Sequence, residues 1–275
     1  MVGAIVLSIF LLFSIAPLAN AAEEVSFRAR SRSVSGDPLT LTGKLHKPQG
    51  EAPFPAMVLM HGCGGITEKI EDAWAKRLVS WGYVALELDS FGARGKKNIC
   101  DDTYAVPENT RAQDAFDAKG FLSQQAMVDR HRIGIMGWAH GGGAVLCAIS
   151  LANMEDYHWQ KKGLSPSELI KGDGPFKAAV AFYPYCAKRL EDAQSPLLIL
   201  IGDKDSWCPA AMCKISVPGF KTNKEIRLKI YHDTYHGFDA EDVDTVVAGY
   251  RVAYDFGATL DAIFRVRDFL AEYLR

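Results

Sequence analysis

The stretch Ile133 to Gly143, IGIMGWAHGGG, constrains this chain more than any other. An apolar run that ends at Gly137, followed by the clustered glycines Gly141 to Gly143, spells a buried strand, a sharp turn and the start of a packed helix. That is the frame of a nucleophile elbow, written G-x-S-x-G. A Ser or Cys on the tight turn is pushed clear of the sheet, and the flanking glycines let strand and helix approach closely. Gly137, Trp138, His140 and Gly141 fit the frame, but the reacting position holds Ala139. A methyl group cannot attack a carbonyl, so the sequence names a reaction class and lacks its attacking atom.

Around the elbow, strand and helix signals alternate. Val25 to Arg30 and Leu39 to His46 read as a hairpin about Gly36-Asp37, and Ala56 to Met60 as a buried strand running into His61-Gly62-Cys63-Gly64-Gly65. A helix is predicted from Thr67, with Trp74, Leu78 and Trp81 on one face and Gly82 as its stop. Tyr83 to Leu88 is a strand, Thr110 to Phe121 a helix, and Ile133 to Met136 the strand feeding the elbow. Ala178 to Phe182, Leu197 to Ile201 and Ile226 to Tyr231 supply three more strands. Asp244 to Tyr273 reads as a final helix broken near Gly257. Leu151 to Gly174, long and polar, reads as a helical excursion over the surface. Repeated units of this kind make an α/β fold with a mostly parallel sheet covered by helices on both faces.

The first residues are of another kind. Ile5 to Ile15 is an apolar run too short to span a bilayer, and Ala19-Asn20-Ala21 has the small-residue pattern of a signal peptidase site. Met1 to Ala21 is therefore read as a secretory signal cleaved after Ala21, although no basic side chain precedes the run. An amino-terminal membrane anchor is the rival. The remainder, residues 22–275, is of a size for one α/β domain, exported to the periplasm or secreted and not held at a membrane once the signal is gone. A formal net charge of −2 without basic blocks gives nothing to draw the chain to nucleic acid.

Six cysteines, at positions 63, 100, 147, 186, 208 and 213, make disulfides plausible in an oxidising compartment, and Cys186 with Cys213 is the expected pair. Cys147, on the helix after the elbow, reads as a buried thiol. There is no C-x-x-C pair, and His232 and His236 fall on a strand end and a loop, not on one helix face, so no metal site is expected.

Position along the chain then supplies partners for residue 139. Asp205, in Ile201-Gly202-Asp203-Lys204-Asp205, follows a strand directly and is the expected acid. It is favoured over Asp203 because the turn carries the second carboxylate further into the cleft. His236, in Tyr235-His236-Gly237-Phe238, follows the last strand and is the expected base. The oxyanion hole falls to the backbone N–H groups of His140 and Cys63. Cys63 as a substitute nucleophile is the weaker reading, since its N–H and not its sulfur faces the substrate in this arrangement.

These motifs, HGCGG at His61 to Gly65, DSFGARG at Asp89 to Gly95, GWAHGG at Gly137 to Gly142, GDKD at Gly202 to Asp205 and HGF at His236 to Phe238, resemble the dienelactone hydrolase family of α/β-hydrolases. The resemblance covers nearly all of the chain after the signal. It implies a sheet of about eight strands, no cofactor, a small-molecule ester or lactone substrate, and hydrolysis through an acyl-enzyme on a Ser or Cys where Ala139 stands. Exported relatives carry serine there. Members acting on dienelactone hold its carboxylate with two arginines and place a glutamate beside the oxyanion loop. Arg94 matches the first arginine, but Ala240 and Gly62 stand at the other two positions, so dienelactone itself is not the expected substrate. Arg94 either pairs with an anionic substrate or ties its own loop to Asp89 or Asp101. Trp138, Trp207, Phe91, Tyr183 and Tyr185 are candidates to line an acyl or aryl pocket. Ala139 itself leaves three readings: a serine hydrolase disabled by substitution, a natural relative that binds without reacting, or weak hydrolysis by a water that His236 activates.

Overall fold

A strand covered on both faces has no polar alternation to display. In the computed structural model, β3 (Phe54–Met60) is buried at every residue after the first and β7 (Leu197–Gly202) throughout. The structure describes residues 22–32, 36–150, 174–188, 190–219 and 224–275. The expected signal, Met1 to Ala21, lies outside them, as does the predicted excursion over all but its last residue.

The sheet is completed by β1 (Glu23–Arg32), β2 (Pro38–His46), β4 (Val84–Asp89), β5 (Val128–Trp138), β6 (Ala179–Phe182) and β8 (Ile226–Tyr231). Its eight strands run in the order β1-β2-β4-β3-β5-β6-β7-β8. Strand β2 is antiparallel to both neighbours, and from β4 to β8 every pairing is parallel. Register aligns the carboxyl ends of the central strands: Met60 faces Gly137, Trp138 faces Phe182, and Gly202 faces Tyr231. The loops after β3, β5, β7 and β8 therefore open on one edge, the usual place for a ligand in such a sheet.

Helices α1 (Ala73–Ser80), α2 (Glu108–Ser123), α3 (His140–Ala148), α4 (Ala210–Gly219) and α5 (Phe256–Leu274) pack against these strands. Helix α1 buries Trp74, Ala75 and Leu78 and ends before Gly82, whose φ of +87° only glycine adopts freely. It starts later than Thr67, because Glu68–Asp72 forms one π-helical turn in which the Glu71 carboxylate accepts the Thr67 N–H and hydroxyl, each at 2.8 Å.

The final helix departs from expectation. Asp244–Val247 (β9) and Tyr250–Ala253 (β10) form an antiparallel hairpin, and α5 begins only at Phe256. The β-branched run Thr245-Val246-Val247 favours extended backbone, and Ala248 and Gly249 take φ of +48° and +84°, the two left-handed residues of a tight hairpin turn. Asp255 then caps α5, accepting the Ala258 N–H at 2.8 Å, so Gly257 lies in its first turn and not at a break.

Candidate active site

Local sequence builds the elbow. Residue 139 takes φ +50° and ψ −116°, a conformation costing an L side chain about 1–3 kcal/mol, held by Ala139 N–H to Phe182 carbonyl at 3.0 Å and Gly143 N–H to Ala139 carbonyl at 2.9 Å. Its glycines are steric necessities. A Cβ on Gly137 would lie 2.4 Å from the Gly141 carbonyl oxygen, and one on Gly141 would lie 2.0 Å from that of Met60. The backbone that presents a nucleophile is thus intact under a side chain that cannot act as one.

Beside it, His236 Nδ1 and Asp205 Oδ2 lie 2.7 Å apart, both residues buried. Asp205 Oδ1 accepts the backbone N–H groups of Trp207 and Cys208 at 3.0 and 2.7 Å, which fixes the carboxylate and leaves its other oxygen to orient the imidazole. Asp203 turns away and pairs with exposed His232 at 2.8 Å, so the two histidines do not converge. The hairpin that sequence periodicity missed braces the base. Ala253 N–H donates to the His236 carbonyl at 3.0 Å, and a Cβ on Gly237 would strike Val252 at 2.5 Å. Trp207 lies 4.9 Å from the His236 ring and stacks on Tyr250 at 5.1 Å.

The two oxyanion loops meet at the elbow. A Cβ on Gly62 would lie 3.9 Å from that of Ala139 and 3.8 Å from the Trp138 carbonyl oxygen. One fully buried side chain, Arg111 of α2, ties both loops. Nη2 donates to the His61 carbonyl at 2.6 Å, and Nη1 to His140 Nδ1 at 2.9 Å. Burial and then Arg111 push the His140 pKa down to about 3, so its ring is neutral and accepts from Arg111 at Nδ1. Burial also lowers Arg111, to about 10, which leaves it cationic at neutral pH. Beneath the first loop, Glu71 accepts the Gly62 N–H at 3.3 Å, and burial raises its carboxyl to about 7. The Cys63 backbone stays at the cleft, but its sulfur is bonded to Cys100, so it is no thiolate nucleophile. Neither Arg111 nor Glu71 was legible in sequence, since a polar residue on a helix ordinarily faces water.

Two expected substrate contacts are corrected. Arg94 faces inward, its guanidinium bidentate on buried Asp114 at 2.8 and 2.9 Å and donating to the Ser90 carbonyl at 2.6 Å. A buried carboxylate needs that cation, so Arg94 ties its loop, to Asp114 and not to Asp89 or Asp101. Trp138 lies in the core, donating from Nε1 to Asp239 Oδ2 at 2.9 Å. Asp239 also accepts from Trp74 at 2.8 Å and from the Tyr183 hydroxyl at 2.6 Å, a buried knot behind the cleft. Phe91 and Tyr183 are likewise buried, whereas Tyr185 is 45% exposed and Trp207 half-buried, and both line the cleft. The expected Cys186–Cys213 bridge is present, and Cys147 and Cys208 are buried thiols.

The cleft is a cavity of about 700 Å³ on which Cys63, Ala139, His140, Trp207 and His236 all open. Among the described residues two groups could hold a metal ion, His46 with Asp72 and Glu87, and Asp203 with His232 and Asp233; neither lines the cleft. What the cleft brings together is a hydrogen-bonded His236–Asp205 pair, a residue 139 at positive φ, and the loops of Cys63 and His140.

Comparison with known proteins gives the family and the fold. The family model of the dienelactone hydrolase family matches residues 41–157 and 166–274. The quorum-quenching protein AidA of Acinetobacter baumannii (strain MDR-ZJ06) is 30% identical over 112 residues, 40% of this chain and 35% of that protein, so the match spans about a third of the relative's length. Among solved structures, a dienelactone hydrolase from Anabaena variabilis ATCC 29413 superposes with a TM-score of 0.61 at 18% identity, covering 93% of this chain and 100% of that one. Thermogutta terrifontis esterase 2, phosphoramylated by tabun, superposes with a TM-score of 0.62 at 18% identity, covering 93% and 96%.

Proposed function

The chain belongs to the dienelactone hydrolase family, and on that premise we propose that it is an exported scaffold for hydrolysis of carboxylic esters or lactones, disabled by Ala139. One observation carries the proposal: the hydrogen-bonded Asp205 and His236 open on the same cavity as a residue 139 still held in the elbow conformation. A serine at 139 would give its proton to His236 as Oγ bonds to the substrate carbonyl carbon. The negative oxygen would lie between the Cys63 and His140 N–H groups. His236 would return the proton to the departing alcohol as the ester C–O bond breaks, and water would then release the acid by the same steps in reverse. Every group needed is a protein group, so the proposal invokes no cofactor. Two disulfides, Cys63–Cys100 and Cys186–Cys213, support export to an oxidising compartment as a single domain over residues 22–275.

Loss of a triad nucleophile costs on the order of 10⁶ in kcat, about 8 kcal/mol. Ala139→Ser should therefore raise hydrolysis of a short p-nitrophenyl ester by several orders of magnitude over the unaltered chain, with activity declining on acidification as the base gains a proton. Ala139 itself favours a second reading, a cleft that binds its ligand without chemistry. That reading predicts no turnover of esters or lactones by either protein, the result that would remove the hydrolase proposal.

A further inference from the structure

The catalytic cleft does not end at its mouth. A second cavity, of about 560 Å³, adjoins it, and Thr103, Tyr104 and Trp207 line both. Its walls are unlike those of a site for an anion. One wall is an aromatic ladder that climbs outward from the base: the His236 ring, Trp207 at 4.9 Å, then Tyr250 at 5.1 Å with its ring only 12° from parallel. Facing the ladder is the segment from Cys100 to Tyr104, in which Asp101 and Asp102 are exposed carboxylates and the Tyr104 ring is 87% exposed. That segment is not a loose loop. The Cys63–Cys100 bridge fastens one end to the loop of Cys63, the Ile99 N–H donates to the Cys63 carbonyl at 2.9 Å, and the Ala105 N–H donates to the Asp102 carbonyl at 3.1 Å. The wall and the oxyanion donors are therefore held in one frame.

The charge inventory points the same way. Arg94 is spent on Asp114, and Arg111 on the two oxyanion loops. Among the described residues that line either cavity, the sole lysine or arginine is Lys188, already ion-paired to Glu108 at 2.6 Å. No cation among them is placed to hold a carboxylate, while two carboxylates stand ready to accept hydroxyl hydrogens. Flat rings stack on exposed aromatic faces, with offset geometry at separations like that of Trp207 and Tyr250.

We propose that the outer cavity is a substrate subsite for an uncharged, hydroxyl-bearing ring with an apolar face, packed on Tyr250 beside Trp207 and hydrogen-bonded by Asp101 and Asp102, carried on one half of the ester whose carbonyl lies at Ala139. The inference rests on the hydrolase reading above and deepens it. It assigns a substrate class without the carboxylate that dienelactone carries. The ring is phenolic or a sugar, and the two sources are separable.

The test uses the Ala139→Ser protein with four acetates: 4-hydroxyphenyl acetate, 4-carboxyphenyl acetate, acetylated glucose and ethyl acetate. With each rate normalised to its hydroxide-catalysed rate, the hydroxyphenyl ester is expected to exceed the carboxyphenyl ester by about tenfold in kcat/KM. Adding Tyr250→Ala or Tyr104→Ala should raise KM for the ring ester about tenfold more than for ethyl acetate, the scale of one lost aromatic contact. If acetylated glucose shows the same response the ring is a sugar; if only the phenyl ester does, it is phenolic. Preference for the carboxylated ester, or KM changes equal for ring and ethyl esters, overturns the subsite. Should Ala139→Ser be inert on all four, the hydrolase reading fails. Calorimetric titration of the unaltered chain with hydroquinone and with 4-hydroxybenzoate then decides the subsite by itself. Hydroquinone binding that Tyr250→Ala weakens upholds it, and absence of that binding overturns it.

Discussion

Glu71 offers a stability prediction whose sign runs against ordinary acid denaturation. Its carboxyl is 1% exposed under the oxyanion loop, and burial, opposed by hydrogen bonds from Thr67 and Gly62, raises its pKa from 4.5 to about 7. A folded pKa above the unfolded value means that the native state binds the proton more tightly. The contribution to stability is therefore complete below about pH 4.5, where both states are protonated, and is lost as the pH climbs through about 7. A rise of about 2.5 pH units at 1.36 kcal/mol each puts the loss at roughly 3 kcal/mol by pH 8 and above. Glu71→Gln keeps an oxygen for the Thr67 N–H and hydroxyl but has no charge to bury, so its stability should lack this slope. It gives up the Gly62 hydrogen bond, a constant offset of about 1 kcal/mol. Urea unfolding of both proteins at pH 5, 6, 7 and 8 isolates the difference. The two proteins should be close in stability at pH 5 and the unaltered chain the less stable at pH 8, with the gap changing by roughly 2.5 kcal/mol. A gap that stays constant within about 0.5 kcal/mol across that range would refute the buried-proton argument.

Arg111→Met leaves the His61 carbonyl and His140 Nδ1 without their donor, and in the Ala139→Ser protein should lower kcat by about tenfold to a hundredfold with little change in KM, measured on p-nitrophenyl acetate. Arg111→Lys should restore only part of it, because one ammonium cannot reach both loops in the geometry of a guanidinium fork. Gly141→Ala should destabilise the fold by about 3 kcal/mol or more, read as a lowered urea midpoint, because the new methyl would meet the Met60 carbonyl oxygen at 2.0 Å and backbone must move. An unchanged midpoint would mean that the elbow is looser than its geometry states.

Much of the fold was legible because its signals are local. The buried strands are near-continuous apolar runs, the elbow glycines mark a close approach of backbones, and Gly82 marks left-handed backbone that few other residues adopt. The order of the residue-139, Asp205 and His236 loops came from position alone, and the fold brings Asp205 and His236 together across 31 residues. The hairpin at Asp244–Ala253 was missed because the helical spacing of the residues after it was extended backward over a β-branched run.

The sequence by itself determined the strand and helix alternation, the elbow frame with alanine at position 139, and the order in which the Asp205 and His236 loops follow it. Only the tertiary structure decided where the side chains of Arg94, Arg111, Glu71 and Trp138 point. Their partners, Asp114, His61 and His140, Gly62 and Asp239, lie 9 to 101 positions away in the chain. Apolar periodicity and turn chemistry are set by neighbours along the chain. Whether a buried charge becomes a substrate contact or a structural tie is set by which opposite charge the fold delivers beside it, because an unpaired buried ion is too costly to keep.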